Sequence, residues 1–526
     1  MIPRIETRLN RLLRAGEAHR LGQGLKGVEK ESLRLSAEGL IATTPHPRTL
    51  GSALTHPYIT TDYSEALPEL ITPPFADPVE TLAFLDDLHR YVYARLESGE
   101  FLLATSMPVG IDGDASIPVA RYGNSNIGRM KHVYRQGLSH RYGRSMQAIA
   151  GVHFNYSVNQ TLWPVLAELE GNRLPLQDYI ASAYFGLIRN VHRYGWLIIY
   201  LFGASPAVDK RFFRGRESLM QSFEELDSQT LGRTYATSLR MSDIGYRIDT
   251  QPSLDISCNS LEEYVAGLTR AISQPHPAYE AMGLRHGEDY LQLNTHLLQI
   301  ENEYYSSIRP KQLTESGEKP TLALRRRGVR YVELRSLDLC CTRPGGVSLE
   351  QLRFLEVFLL LCLLADSPPL SRAEQAEADH NALHTACCGR MSATTLRHQG
   401  GTVSMHESAL HLFNGLESVA RVLDGDDPKQ PYRRSVLLRL ESVLNPEQTP
   451  SWRMLTDMRQ NRISFTEHAL ALSRQHADYF RNAPLAADTL QSLQQMAVTS
   501  LQSQQDIEAS DTLSFADFLA NYFGQH

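Results

Sequence analysis

The chain has 526 residues, of which 42% are hydrophobic and 21% are charged. This composition is ordinary for globular proteins and excludes a largely disordered or fibrous chain. The 59 acidic residues outnumber the 52 basic residues, which gives a net charge of -7, whereas a nucleic-acid-binding protein usually has a basic surplus. The longest unbroken apolar run, residues 357–365, is much shorter than the roughly 20 residues that a membrane span needs. We therefore expect neither a nucleic-acid partner nor a membrane partner.

The cysteines and the first segment bear on the cellular compartment. Six cysteines are few for this length and do not form the dense framework of a small secreted protein. Residues 1–20 alternate apolar and basic residues at helical spacing, without a long apolar segment or a small-residue cleavage site. We expect a cytoplasmic protein that acts as a monomer.

The first predicted strands carry acids among apolar residues. In residues 28–31 the acids Glu29 and Glu31 are two positions apart, so a strand directs both side chains to the same face. In residues 66–72 Glu69 lies among apolar residues and follows Pro68. Because proline has no N–H for a strand ladder, this strand is expected to begin at Pro68 or to lie at a sheet edge.

Three later segments also have strand character. Strict alternation in residues 152–158 places His153 and Asn155 on one face, because side chains in a strand repeat with period two. Glu333 and Arg335 share a face of residues 331–335 in the same way. Residues 297–305 are a further candidate strand.

The order of these elements indicates the fold class. The strands are separated by helices of irregular length, which favours an α+β fold with a largely antiparallel sheet over a regular βαβ repeat. The composition changes near residues 344–346, after which helical periodicity dominates. We therefore divide the chain into a core, residues 1–345, and a mainly helical part, residues 346–526, packed on that core.

Two familiar motifs are weak in this context. Gly22, Gly24 and Gly27 match the dinucleotide-binding spacing, but a helix precedes them and a strand follows, the reverse of the required order. We interpret the segment as a turn. The cluster His380, His384, Cys387 and Cys388 has metal-ligand residue types, but it lacks a second pair of ligands and is more typical of a surface helix.

The acids are more informative than these motifs. An acid among buried residues is costly unless it is paired or bound to a metal ion. Each acid taken alone is more often a salt-bridged or rim residue, but together with one histidine they suggest a site for Mg²⁺ or Mn²⁺. The residues are Glu29, Glu31, Asp62, Glu69, His153 and Glu333.

Basic residues in Gly-, Tyr- and Ser-rich segments supply a possible counterpart. Arginine forks suit phosphate and carboxylate groups, although solvated surface charge is the ordinary interpretation of any one of them. These residues are Lys131, Arg135, Arg240, Arg309, Lys311 and Arg335.

Together with these residues, longer segments of the sequence resemble a known family, the proteobacterial type of glutamate–cysteine ligase, also called γ-glutamylcysteine synthetase. The match runs in family order over residues 20 to about 345 and is weak after about residue 370. The segments that carry it are GVEKESLR (27–34), LGSALT (50–55), ITTDYSEA (59–66), PELITP (68–73), YGNSNIGR (122–129), GVHFNYS (151–157), YLFGASP (200–206), ATSLRMSDIGY (236–246), QIENEYY (299–305), IRPK (308–311) and YVELRSLD (331–338).

The resemblance implies a fold related to glutamine synthetase: a curved antiparallel sheet whose concave face holds ATP, metal ions and substrates, with helices outside. It implies that the core, residues 1–345, is catalytic. It also implies that the metal ligands are the six residues named above, Glu29, Glu31, Asp62, Glu69, His153 and Glu333. The implied substrate-binding residues are Tyr134, Gln147, Arg240, Tyr246 and Tyr305. Arg135 and Arg335 are the implied phosphate-side residues, and they join Arg240 as the expected catalytic groups.

The implied activity is the ATP-dependent joining of the γ-carboxylate of L-glutamate to the amine of L-cysteine, the first step toward glutathione. Mg²⁺, with Mn²⁺ as an alternative, and ATP as co-substrate are the expected small-molecule partners besides the two amino acids. Three alternatives stay open: another ATP-dependent carboxylate–amine ligase with a different acceptor, a small-molecule kinase on the same fold, and a non-catalytic metal-binding protein.

Overall fold

The computed structural model describes residues 2–245, 254–315 and 317–525. In these ranges the chain combines helices with short strands, which confirms the predicted α+β class. The α-helices are α1 (Ile2–Arg14), α2 (Pro78–Tyr93), α3 (Asn126–Tyr142), α4 (Leu162–Leu169), α5 (Leu176–Tyr194), α6 (Trp196–Phe202), α7 (Leu261–Ala271), α8 (Pro277–Met282), α9 (Pro320–Arg327), α10 (Leu349–Leu364), α11 (Arg372–Cys388), α12 (Met405–Asp424), α13 (Pro431–Leu444), α14 (Pro450–Asn461), α15 (Phe465–Arg481), α16 (Ala487–Ser510) and α17 (Phe515–Phe523).

The strands are short, and most of them follow the polar–apolar alternation of the sequence. They are β1 (Leu25–Glu31), β2 (Arg34–Leu35), β3 (Ile59–Thr61), β4 (Pro68–Ile71), β5 (Phe101–Leu102), β6 (Val152–Ser157), β7 (Ala207–Asp209), β8 (Glu224–Glu225), β9 (Thr230–Gly232), β10 (Arg285–His286), β11 (Asp289–Tyr290), β12 (Ile308–Lys311), β13 (Tyr331–Leu337), β14 (Thr395–His398) and β15 (Gly401–Ser404).

A six-stranded antiparallel sheet forms the centre of the molecule. Its strand order is β12-β13-β6-β1-β4-β3, and every neighbouring pair is antiparallel. The order differs strongly from the chain order, so strands that are distant in sequence lie side by side. β1, which carries Glu29 and Glu31, therefore has a neighbour on each side.

The two faces of this sheet differ in chemistry. On one face Val28, Phe154 and Leu334 are fully buried, and helices α2, α5, α6 and α10 pack against the strands. Burial of this apolar face is the main source of stability. Because side chains alternate along each strand, the residues between these apolar positions face the opposite way and form a polar face.

A buried ion pair joins the central strand to the helical layer. The Lys26 Nζ atom lies 2.6 Å from the Glu356 carboxylate, and both side chains are inaccessible to solvent. Tyr432 in α13 donates a hydrogen bond of 2.8 Å to the same carboxylate. Since removal of one partner would leave a buried unpaired charge, these contacts fix α10 and α13 to β1.

Helix α3 is positioned above the polar face by its N-terminal cap. The Ser125 hydroxyl accepts a hydrogen bond from the Gly128 N–H, which satisfies one free donor of the first turn. Lys131, Tyr134 and Arg135 follow at helical spacing and share one side of α3.

The structure confirms the strands that carry Glu29, Glu31, Glu69, His153 and Glu333. The strand with Glu69 was expected either to begin at Pro68 or to lie at a sheet edge. Pro68 is the first residue of β4, so the first of these expectations is confirmed. The edge alternative is wrong, because β4 lies between β1 and β3.

The strand predicted for residues 297–305 is also wrong, since Glu301–Glu303 forms a 3₁₀ turn. Local hydrogen bonds replace a strand ladder there. The Leu293 N–H donates to the Gln299 side chain at 3.0 Å, and the Asn294 side chain donates to the Gln299 carbonyl at 2.8 Å. Such side-chain bonds to the backbone compete with regular secondary structure.

Across the described ranges, no helix combines the length and the apolar character that crossing a membrane would require.

Candidate active site

The polar face of the central sheet gathers acids from three strands, β1, β4 and β13, and a histidine from a fourth, β6. In the register of β1, Glu29 lies opposite His153 of β6, and Glu31 lies opposite Glu69 of β4. On β13, Glu333 lies opposite Asn155 of β6. Directly paired residues of antiparallel strands point to the same face, so these side chains converge although they span three hundred residues of sequence.

Five of the six predicted metal ligands form two overlapping groups. The ligand atoms of Glu29, His153 and Glu333 lie within 4.8 Å of one another, and those of Glu31, Glu69 and His153 do the same. His153 belongs to both groups, with Nδ1 at 3.1 Å from Glu29 and Nε2 at 3.7 Å from Glu31. The sixth residue, Asp62, belongs to neither group, but it lines one cavity together with Glu29, Glu69, His153 and Glu333.

The carboxylates of this cluster repel one another. Burial, followed by the charges of Glu29 and Asp62, raises the pKa of Glu69 well above its usual range. Among the described residues the Glu69 side chain has no hydrogen bond or salt bridge. A half-buried acid without a partner, surrounded by other acids, is stable as a carboxylate only when a cation is bound nearby. The donor set of carboxylate oxygens and one imidazole fits Mg²⁺ or Mn²⁺.

Glu333 has the opposite electrostatic balance. Burial alone would raise the pKa of its carboxyl group, but Lys311 and Arg335 hold that pKa well below the usual range. The Lys311 Nζ atom lies 3.0 Å from one Glu333 oxygen, and Arg335 donates to the other oxygen at 3.1 Å. Glu333 therefore lies between the acidic cluster and a set of basic residues in the cavity wall that begins with Lys311 and Arg335, called here the basic wall.

The basic wall continues along β12 and α3. Arg309 lines the cavity beside Lys311 and donates to the Asn302 carbonyl at 3.0 Å. From α3, Arg135 donates to the carbonyls of Asp62 and Lys131, and its guanidinium lies 4.7 Å from the centre of the Tyr122 ring. These backbone bonds fix the guanidinium groups in place, as preorganised electrostatic binding requires.

Arg240 has a different position from the other predicted arginines. It is 5% exposed and does not line the cavity that contains Arg335. Its Nη2 donates a hydrogen bond of 2.9 Å to the Arg335 carbonyl. Its guanidinium lies directly against Gly151, where any β-carbon would overlap it.

Three of the five predicted substrate-binding residues line the same cavity. Tyr134, Gln147 and Tyr305 are in its wall, and the Tyr305 hydroxyl lies 3.3 Å from the sulfur of Met241 as a donor. Tyr246, which was expected beside them, lies outside the described residues.

The cavity has a volume of about 610 Å³, which is in the range of small-molecule sites. The sequence reasoning did not identify several of its residues, among them Glu303, Ile507 and Tyr522. Glu303 is bound by Arg141 at 3.0 Å and by the Tyr142 hydroxyl at 2.7 Å. Ile507 of α16 and Tyr522 of α17 bring the C-terminal helices to the cavity wall, and a single amphipathic sequence gives no signal for such a contact.

One further contact extends the predicted polar face of β6. Asn155, which alternation placed on the side of His153, donates to Glu29 at 2.8 Å. In contrast, His380 and His384 stack on α11 with their ring centres 5.7 Å apart. Neither residue belongs to a potential metal-binding group in the described ranges.

Comparison with known proteins agrees with this geometry. The sequence model of the family described as glutamate-cysteine ligase matches residues 9–385. The chain belongs to the glutamate–cysteine ligase family. It is 47% identical to the glutamate–cysteine ligase of Pseudomonas paraeruginosa over 502 residues, which cover 95% of this chain and 94% of that protein. It is 46% identical to the ligase of Alcanivorax borkumensis over 525 residues, which cover 99% of both chains.

A solved structure of the same family has the same fold. The crystal structure of glutamate–cysteine ligase from Francisella tularensis in complex with AMP superposes with a TM-score of 0.89. The match covers 95% of this chain and 97% of that chain at 36% identity. The family relationship therefore extends through the C-terminal helices, where the sequence motifs are weak.

Proposed function

We propose that this chain joins the γ-carboxylate of L-glutamate to the amine of L-cysteine through γ-glutamyl phosphate, the first step of glutathione biosynthesis. Membership of the glutamate–cysteine ligase family makes it an ATP-dependent ligase. One observation supports the site assignment: a single cavity is lined both by acids, Glu29, Glu69 and Glu333, and by the basic residues Lys311 and Arg335. A reaction that brings a carboxylate to a triphosphate needs both kinds of charge.

The proposed metal ligands are Glu29, Glu31, Asp62, Glu69, His153 and Glu333. The unpartnered Glu69 and the two ligand groups around His153 support this assignment. When bound, Mg²⁺ would neutralise phosphate oxygens and stabilise the charge that develops during phosphoryl transfer. Mn²⁺ fits the same oxygen-rich donor set.

Arg335 and Arg135 are proposed to bind the phosphate oxygens. Glu333 orients Arg335 through one nitrogen, and the Nε atom of Arg335 has no hydrogen-bond partner in the described residues. In the first step, a γ-carboxylate oxygen attacks the terminal phosphorus, and the bond from that phosphorus to the ADP oxygen breaks. The two arginines would stabilise the transferred group because their forks match phosphate geometry.

The second step forms the amide bond. The neutral amine of cysteine attacks the acyl carbon, the bond from that carbon to the phosphate oxygen breaks, and phosphate leaves as the nitrogen loses a proton. Neither step needs a covalent bond to the protein. The role proposed for Tyr134, Gln147 and Tyr305 is to orient the acceptor, since they line the same cavity as the acids, and Tyr246 is proposed as a fourth member of this group.

For Arg240 we retain the proposed interaction with a substrate anion and add a positioning role. Its hydrogen bond to the Arg335 carbonyl supports the second role, because it fixes the backbone that carries the phosphate-binding side chain. Loss of Arg240 would then change the orientation of Arg335 as well as substrate binding.

Our proposal for the architecture is a cup related to glutamine synthetase, with residues 1–345 as the catalytic core and residues 346–526 as a helical part packed on it. The polar face of the antiparallel sheet and the apolar face under the helices support this proposal. We also propose that the protein acts as a monomer without nucleic-acid partners in the cytoplasm. The six unpaired cysteines support a reducing compartment.

Coupled ADP release, with each substrate omitted in turn, tests the reaction. We expect multiple turnovers of ADP formation only when L-glutamate, L-cysteine, ATP and Mg²⁺ are all present, with γ-glutamylcysteine as the product. ADP release without any amine, together with a stable phosphorylated product, would identify a kinase instead. A panel of amino acid acceptors distinguishes the remaining alternative, because a different ligase would prefer another amine.

The metal assignment needs a separate measurement. Glu333→Gln should bind Mg²⁺ more weakly and lose most of its turnover, whereas Glu97→Gln changes an exposed acid that does not line the cavity and should behave as the wild type. Normal turnover of Glu333→Gln at ordinary Mg²⁺ concentrations would contradict the assignment.

A further inference from the structure

A second cavity lies between the end of β13 and the C-terminal helices. Its volume is about 480 Å³, which also falls in the range of small-molecule sites. The walls come from residues 340–343, the start of α10, and parts of α13, α14 and α15. None of the residues that line it also lines the candidate active site. The proposed reaction therefore does not use this cavity.

Three arginines line this second cavity. Arg439 of α13 is partly buried in its wall, and the guanidinium carbon lies 5.2 Å from the centre of the Phe202 ring. Its Nε atom is buried without a hydrogen-bond partner, and no salt bridge or side-chain hydrogen bond of Arg439 occurs among the described residues. A guanidinium has five donors, and the described protein groups accept hydrogen bonds from none of them here.

Two more arginines stand around Arg439. Arg343 and Arg453 line the same cavity and are exposed at its rim. After burial, these like charges further lower the pKa of Arg439, while Glu350 acts in the opposite direction. Grouped arginines without carboxylate partners attract anions, because the planar forks match carboxylate and phosphate oxygens.

The wall also contains an unsatisfied buried imidazole. His468 of α15 is 6% exposed, and its Nε2 atom has no hydrogen-bond partner in the described chain. A buried polar atom without a partner is costly unless a ligand or an ion satisfies it. This observation is independent of the arginines and concerns the same cavity.

The acids in the lining limit the charge of a suitable ligand. Glu350, Glu441 and Asp457 line the cavity as well, yet none of them forms a salt bridge with the three arginines in the described residues. They balance the formal charge of the lining, which favours a ligand with one or two negative charges over a polyanion.

From this arrangement we propose that the second cavity is a binding site for a small anionic molecule, whose carboxylate or phosphate oxygens pair with Arg439 and extend toward His468. Binding here does not depend on the ligase reaction, since the two cavities share no residue.

Anion-dependent stabilisation tests this proposal with inorganic phosphate and succinate as the probes. The Tm of the full chain is measured against the concentration of each probe, with chloride at equal ionic strength as the reference. We expect a saturable rise in Tm with at least one probe, and the stronger of the two identifies phosphate or carboxylate as the preferred group. A response no larger than that of chloride for both probes would overturn the proposal.

Matched variants locate the binding. Arg439→Gln should weaken the apparent affinity about tenfold, equivalent to about 1.4 kcal/mol. Arg434→Gln, an exposed position on the same helix that does not line this cavity, should retain the wild-type affinity. Arg453→Gln provides a second test at the exposed rim, with a smaller loss expected, and it applies even if Arg439→Gln folds poorly.

Binding of the probes in the candidate active site would give the reverse pattern. In that case Arg335→Gln would lose the response, while Arg439→Gln and Arg453→Gln would keep it. That pattern, or equal affinities of the wild type and both cavity variants, would refute a site at Arg439.

Discussion

Replacement of Glu69 by glutamine separates the stability of the acidic cluster from its activity. The Glu69 side chain has no hydrogen bond or salt bridge among the described residues, and burial together with Glu29 and Asp62 raises its pKa well above the usual range. Glutamine has nearly the same shape and no charge. We expect Glu69→Gln to be more stable than the wild type without metal ions, less stabilised by Mg²⁺, and almost inactive.

The expected magnitude follows from the distances within the cluster. Ligand atoms of Glu31 and Glu69 lie within 4.8 Å of each other, and two charges at that distance repel by about 3 kcal/mol at an effective dielectric constant of about 20. Protonation of Glu69 relieves part of this cost, so the gain in the unfolding free energy should be about 1–3 kcal/mol in EDTA.

The sign of the pH dependence is also fixed. A carboxyl group whose pKa is raised in the folded state binds more protons when folded, so its contribution to stability is lost as the pH rises. In EDTA, the gain in unfolding free energy of Glu69→Gln over the wild type should therefore be larger near pH 8 than near pH 5. The lower pH is close to the pKa of a glutamate in the unfolded chain. Urea denaturation at the two pH values, with EDTA or with Mg²⁺, measures both effects.

Glu303→Gln is the matched control, because it removes a buried acid from the same cavity that is fully paired. Both Glu303 and Arg141 have inaccessible side chains, and the loss of one partner from such a pair typically costs about 3–5 kcal/mol. The two variants should thus change stability in opposite directions. If Glu69→Gln were less stable than the wild type in EDTA, equally stabilised by Mg²⁺ and normally active, the metal-site reasoning would be refuted.

Three further substitutions test other parts of the structure. Gly151→Ala should reduce kcat strongly, because its β-carbon would overlap the Arg240 guanidinium. Gly27→Ala on the neighbouring strand is the control, since a β-carbon there has ordinary contacts of 3.6–3.7 Å and the variant should keep its activity. Similar steady-state kinetics of the two variants would contradict this packing argument. His56 accepts the N–H groups of Tyr58 and Ile59 through Nδ1, and burial lowers its pKa to about 4. The unfolded chain therefore binds more protons between about pH 6.5 and pH 4, and the wild type should lose up to about 3 kcal/mol relative to His56→Gln over that interval, as measured by urea denaturation; a constant difference would be evidence against a neutral imidazole. Arg335→Gln should lower kcat about a hundredfold in the ADP-release assay, and a change confined to the KM for cysteine would be inconsistent with its phosphate role.

The sequence predicted individual strands well because their signal is local. Alternation of polar and apolar residues identified β1, β6 and β13, and Glu29, His153 and Glu333 of these strands line the cavity. The same reasoning failed for residues 297–305, where the Gln299 side chain binds the backbone and prevents a ladder. Periodicity does not distinguish these two outcomes, because both are compatible with the same alternation of residue types.

Strand order and the closure of the cavity could not be predicted from periodicity. The position of β1 between β6 and β4 decides which acids meet, and nothing local in the segment around Glu29 specifies that Glu333 will lie near it. Tyr522 closes the cavity from α17, a helix whose sequence is amphipathic like many surface helices. Long-range packing chooses the face that such a helix presents, so the contribution of the C-terminal helices required the structure.

Activity and stability make opposite demands on the central sheet. On the side of β1 that faces the helices, the side chains are buried without an unpaired charge at these positions: Val28 is apolar, and Lys26 is paired with Glu356. The opposite side of the same strand carries Glu29 and Glu31 beside further acids, an arrangement that costs folding free energy when no cation is bound. A fold optimised for stability alone would not place mutually repelling acids at the centre of its sheet. The proposed binding of cations would explain their presence there, and the buried apolar face supplies the stability that makes this arrangement tolerable.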